Sequence, residues 1–194
     1  MLDYHVVATY LGSVLGIASF VPYYRDILNG STKPHLFTWI VWTILTGLTF
    51  LIQSAGGGGI GAWVTGVESA SCFGVAFLAI SRGDKNITGF DWVCFVLSLL
   101  AIATWLFAHQ PLLAVLLVIA ADALGFAPTF RKSYWKPQEE TALQFGLSSV
   151  HWAVGVIALQ SLVLVNWLYP AAISMFDMAL VITLLIRRRQ LAPA

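Results

Sequence analysis

Apolar runs of roughly 18 to 22 residues follow one another along the whole 194-residue chain. No polar stretch between them exceeds roughly a dozen residues, so a separate soluble domain has nowhere to sit. At 1.5 Å per residue a helix of that length crosses the roughly 30 Å of a bilayer's hydrocarbon. Composition agrees: 59% of residues are hydrophobic, 10% are charged, and the mean hydropathy is +0.83. An ordinary soluble domain is about one quarter charged. The chain reads as an all-α membrane protein.

Seven spans are expected, near 5–24, 36–54, 60–81, 90–108, 111–130, 142–162 and 167–187. Gly56-Gly57-Gly58-Gly59 makes the turn between the second and third, His109-Gln110-Pro111 separates the fourth and fifth, and Asn166 falls in the tight turn before the seventh. The placement of charge supports the count. Lys and Arg occur only at positions 25, 33, 82, 85, 131, 132, 136, 187, 188 and 189. With seven spans all ten fall on one side, and adding or removing a span would scatter them over both. The positive-inside bias then puts the C-terminus in the cytoplasm and the N-terminus outside, in a plasma or bacterial inner membrane. Arg187-Arg188-Arg189 reads as a stop-transfer anchor rather than a nucleic-acid contact. The start, Met1 to His5, has no basic stretch or cleavage site of a signal peptide.

The sequence also repeats. Val21-Pro22-Tyr23-Tyr24-Arg25-Asp26 returns as Ala127-Pro128-Thr129-Phe130-Arg131-Lys132, an offset of 127 − 21 = 106 residues, each copy closing an apolar run. Spans 1–3 and 5–7 then form two units of the same sense, with span 4 as the inverting linker. The corresponding segments are 1–88, 89–109 and 110–194. The stretch from Pro22 to Ser31-Thr32 resembles the first-repeat motif of the SWEET, SemiSWEET and PQ-loop superfamily, and Ala121-Asp122-x-x-Gly125-x-x-Pro128 is similar to its second repeat. The resemblance implies seven transmembrane helices as two parallel three-helix repeats joined by a linker helix (3+1+3), and carriage of a small solute. Neither proline is followed by Gln, Pro137-Gln138 lies in a loop, and span 3 has no Asn where sugar carriers of the family carry one. Sugar is therefore not carried over as the substrate.

Pro22 and Pro128 each remove a backbone donor and clash with the carbonyl four residues earlier. As a matched pair of helix breaks they are candidate hinges for alternating access; the plainer reading is that they end their helices just before Arg25 and Arg131. Ionisable groups inside the spans are Glu68, Asp122, His151 and Asp177. Asp122 precedes Arg131 by nine residues, Asp177 precedes Arg187 by ten, and His151 follows Thr141 by ten. All three thus lie about 13–15 Å deep, and Glu68 sits about a turn further out. No Lys or Arg is at hand to neutralise these acids. Each must be protonated, face water, pair with His151 or await a cation, which is what a proton-coupled carrier requires. Asp122 is the leading proton or cation site, with Asp177 and Glu68 along the route and His151 as partner.

Trp42 and Trp152 lie deep enough to wall a pocket, whereas Trp39, Trp63, Trp92, Trp135 and Trp167 read as interfacial anchors and Trp105 as structural. The expected function is a carrier moving a small solute by alternating access. The alternative is a ligand-binding receptor on the same scaffold that does not transport, as the KDEL receptor family is. An enzyme is not expected, since no HExxH or paired-His motif occurs, and a retinal protein would need a Lys in span 7. The glycine run lacks the Lys and the strand–helix context of a phosphate loop. Neither a metal, which Cys72 and Cys94 do not suggest, nor any cofactor is expected. Mid-depth carboxylates lean towards a cation, a zwitterion or a proton-coupled neutral solute, and the oligomeric state stays open.

Overall fold

The computed structural model describes residues 4–55, 59–107, 110–159 and 164–191. Among these residues it is all-α, with no strand. The helices are α1 Tyr4–Leu28, α2 Leu36–Ala55, α3 Gly59–Arg82, α4 Gly89–Leu106, α5 Pro111–Trp135, α6 Ala142–Ala158 and α7 Leu164–Gln190, with a short 3-10 turn at Pro137–Glu139. By length and apolarity α1 and the Trp167–Gln190 part of α7 can cross a membrane; Leu36–Leu48, Gly89–Thr104 and Ala142–Ala158 are shorter apolar stretches. Gly56 to Gly58 and His109, expected in turns, lie outside the described residues, as do the side chains of Trp63, Trp105 and Asn166.

Local chemistry explains several helix ends. Thr88 and Asp91 form a capping box at the start of α4. The Thr88 N–H donates to Asp91 Oδ2 at 2.7 Å, and the Asp91 N–H donates to the Thr88 hydroxyl at 3.4 Å. Pro111 opens α5, where its fixed φ suits the first turn and its missing N–H costs no bond. Gly30, at φ +77°, turns the chain out of α1 in a conformation that glycine adopts without strain.

One alternative reading and one expectation about helix ends fail. Pro22 and Pro128 do not terminate their helices, because α1 runs on to Leu28 and α5 to Trp135. Asn166 is not in a turn but inside α7, which starts at Leu164 and contains a further proline, Pro170.

The helices pack in a pattern that repeats. Helix α3 packs on both α1 and α2, and α7 on both α5 and α6. Among the described residues α1 meets α2, and α5 meets α6, through side chains such as Tyr23–Trp39 and Phe126–Phe145 rather than by close backbone approach. Across these groups α1 packs on α6 and α2 on α5. Exchanging α1, α2, α3 for α5, α6, α7 turns one list of contacts into the other. The starts of α2 and α6 keep the spacing too: 142 − 36 = 106. Helix α4 lies outside this pattern, against α5 with a lesser contact to α2.

The surface and interior are inverted relative to a soluble bundle. Helix α1 exposes Tyr10, Val14, Ile17 and Val21, α4 exposes Val93, Val96, Leu97 and Leu100, and α7 exposes Met175, Met178, Ile182 and Leu185. Charged Asp91, Asp122, Lys132, Glu140 and Asp177 are buried. Continuous exposed apolar faces of this kind are rare on proteins that live in water.

Candidate functional site

A cavity opens where α1, α2, α3, α5, α6 and α7 converge. Each helix contributes one face. From α2 come Trp39, Trp42, Leu45 and Thr46; from α5, Asp122 and Phe126; from α6, Gln144, Phe145, Ser148, His151 and Trp152; from α7, Tyr169, Ile173 and Asp177. These spacings of three and four are the signature of a single helical stripe. Helix α1 lends Gly16, Ser19 and Phe20, and α3 lends Glu68 and Cys72. Asp122, Asp177, Glu68, His151, Trp152 and Trp42 therefore all meet on one cavity.

The acids are placed differently. The Asp122 carboxyl faces the Tyr169 hydroxyl and the Trp42 indole N–H, yet its Oδ2 is buried with no hydrogen-bond partner. The Asp177 carboxyl faces the Ser148 hydroxyl, and its Oδ2 is likewise unpartnered. Next to them α6 and α7 are pinned by reciprocal bonds. Ser149 Oγ donates to the Ser174 carbonyl and Ser174 Oγ to the Ser149 carbonyl, both at 2.9 Å. Glu68 is half-buried, within electrostatic range of Asp122 and Asp177.

His151 is not the acids' partner. Its Nδ1–H donates to the Gly12 carbonyl at 2.6 Å, which commits the ring to α1. Gly16 makes this approach feasible: a Cβ there would lie 3.0 Å from the imidazole. Gly16 occupies the position 106 residues before Asp122, so one copy of the repeat offers an acid where the other makes room for a histidine.

Trp39 also needs correction. The expected interfacial anchor is buried at 1% exposure, its indole N–H donating to the Tyr23 hydroxyl at 3.2 Å. With Phe20, Phe126 and Phe145 it forms an aromatic floor. Sequence reasoning passed over Tyr169 as well, although Tyr169, Ile173 and Asp177 stand at i, i+4 and i+8 on α7, a signal that would have found it.

No protein-family profile, curated protein or solved structure matches this chain. What the cavity can do follows from its side chains and from what closes it.

Beyond the aromatic floor lies a dense polar network built from the loops that carry the basic residues. Arg131 clamps Asp91 with bonds of 2.8 and 2.7 Å and also donates to the Asn86 carbonyl. Lys132, itself buried, pairs with Glu140 and donates to the Lys33 carbonyl at 2.6 Å. Lys136 pairs with Asp84 at 2.9 Å, Lys33 pairs with Glu139, and the Thr141 hydroxyl donates to Asp26 at 2.9 Å. Arg188 reaches in from the end of α7 to the Pro137 and Glu140 carbonyls. Burial alone would raise the Asp84 carboxyl, but the Lys136 ammonium and the Asn86 N–H outweigh it and hold it below the usual range. His35 is fully buried 3.6 Å from Asp91. Burial pushes its pKa down to about 4, against the pull of Asp91, so the ring is neutral at physiological pH.

The proline break in α5 is tied into this end. Pro128 cannot donate to its own helix, and the Thr38 hydroxyl of α2 donates to the neighbouring Gly125 carbonyl at 2.6 Å, while Thr129 Oγ1 donates to Thr38 Oγ1 at 2.9 Å. The Thr38 side chain thus ties α2 to the α5 backbone one residue past the Leu124 carbonyl that Pro128 leaves without its helical donor.

Proposed function

We propose that this chain is a membrane-embedded carrier that moves a small solute by alternating access, coupled to protons through Asp122, Asp177 and Glu68. In this reading all seven helices cross the bilayer as two parallel three-helix repeats joined by α4, with the N-terminus outside and the C-terminus cytoplasmic. The observation that carries it is a central cavity with two buried acids, each bearing an unpartnered oxygen, inside a bundle whose outer faces are apolar. Buried acids without a base belong, in hydrocarbon, to proton and ion routes. The matching packing of α1–α3 and α5–α7 and the 106-residue offset between the starts of α2 and α6 support the repeats. The network at the basic end supports alternation: it closes the cytoplasmic side, so this conformation would load from outside. Pro22 and Pro128, inside α1 and α5 beside that network, are where the helices would bend.

The test is uptake into proteoliposomes from a panel of labelled metabolites under an imposed pH gradient. Wild-type protein should accumulate at least one solute class, and Asp122→Asn should lose the dependence on the gradient while keeping its thermal stability. Unchanged coupling in Asp122→Asn would remove that residue from the mechanism. A solute that binds but never crosses would overturn transport and select the receptor alternative.

A further inference from the structure

The chemistry of the cavity narrows the ligand beyond what the carrier reading states. Its titratable lining is Glu68, Asp122, Asp177, His151, Cys72 and Tyr169, and no Lys or Arg is among the residues that line it. Asp122 and Asp177 both line it, are 3% and 2% exposed, and each has a buried oxygen without a hydrogen-bond partner. The rest of the wall is largely ring faces. Trp42 is the hub, 4.9 Å from Trp39 and 4.6 Å from Phe126, both edge to face. Across the carboxyls, Trp152 meets Tyr169 at 5.6 Å, again edge to face.

Acids and aromatic faces together select the sign and the texture of a ligand. Positive charge is favoured by the carboxylates and by the quadrupoles of the rings. A small hydrated metal ion would forgo the rings, and among the described residues no three His, Cys, Asp or Glu side chains are grouped to hold one. An amino acid would bring a carboxylate of its own, and the cavity has no base to receive it while the acids would repel it. A greasy cation with no acid group satisfies both halves of the wall.

We infer that the cavity binds a small organic monocation, an alkyl- or quaternary ammonium without an acid group, with Trp42 facing its alkyl shell and Asp122 and Asp177 opposing its charge. The inference takes as its site the cavity of the carrier reading, but binding here does not require passage.

The experiment uses the full chain in detergent, with tryptophan fluorescence and thermal unfolding as readouts and three probes. These are choline, its neutral carbon isostere 3,3-dimethylbutanol, and glycine betaine, which adds a carboxylate. Choline should quench and stabilise, whereas the neutral isostere and betaine should each bind about tenfold more weakly. Trp42→Leu and Asp122→Asn should each weaken choline by about tenfold, and as two unrelated changes they guard against misfolding of either one. Tetramethylammonium, which is only the charged head, should compete with choline. Equal binding of choline and its neutral isostere would overturn the inference, as would no binding of choline or tetramethylammonium up to about 10 mM. If another solute is taken up with protons while neither ammonium binds, the inference fails and the carrier stands. If choline binds in the cavity and never crosses in proteoliposomes, the carrier fails and the inference stands.

Discussion

Acids are buried to the same depth in two regions of this molecule, and only one region supplies bases. At the basic end Asp91 is held by Arg131, Glu140 by Lys132 and Asp84 by Lys136. In the cavity Asp122 and Asp177 are equally hidden, and their neighbours are hydroxyls, an indole and another acid. Moving a charge out of water costs several kcal/mol, which a well-placed partner offsets. The first region has its partners built in and can serve as a lock. The second leaves that role to a proton or a ligand, which lets occupancy change with conditions.

The contrast breaks or sharpens on four measurements, each an unfolding free energy in detergent. Glu140→Gln strands the buried Lys132 ammonium and should cost about 3–5 kcal/mol. Lowering the pH of the wild type tests His35. Its folded pKa of about 4 lies below the unfolded value near 6.5. Its contribution is thus complete above pH 6.5 and is lost as the pH falls towards 4, by about 3 kcal/mol in all. Subtracting the profile of His35→Leu should isolate that slope, and superimposable profiles would show that His35 does not titrate as buried. Third, Gly16→Ala forces a Cβ to 3.0 Å from the His151 ring and should cost about 1–3 kcal/mol. Its neighbour Gly12→Ala meets only ordinary contact at 3.6 Å and should be neutral or gain up to about 1 kcal/mol. Smallest is Asp122→Asn, the same acid-to-amide change as at Glu140, which removes no base partner and should stay within about 1 kcal/mol. If it matches Glu140→Gln, the two regions are not different in kind.

The sequence made convergence legible and direction illegible. Counting residues from Arg131, Arg187 and Thr141 put Asp122, Asp177 and His151 at one level, and all three line one cavity. Counting says nothing about which way a helix is turned, because that depends on what packs against it. His151 lines the cavity, yet it turns one nitrogen to Gly12 of α1. Trp39 lies near a helix start, where indoles often anchor to an interface, but the packing of Tyr23, Phe20 and Phe145 around α2 draws it inward. For the prolines, the plainer reading as helix ends fails, because α1 and α5 both run on past them, which leaves the reading as breaks within a helix. Helix existence was readable from hydropathy because each run is long, and α2 was placed to within one residue at 36–54 against Leu36–Ala55.

The Tyr23 phenol touches both regions at once. It accepts the Trp39 indole N–H, part of the cavity floor, and it faces the Glu140 carboxyl of the Lys132 pair. In the proposed carrier, a single oxygen shared between floor and lock would couple the two equilibria. Whatever free energy a cavity ligand gains or loses when the lock opens must reappear, equal in size, as a change in the lock's own opening constant. Filling the cavity and loosening the far end would then be a single transaction, read from either side.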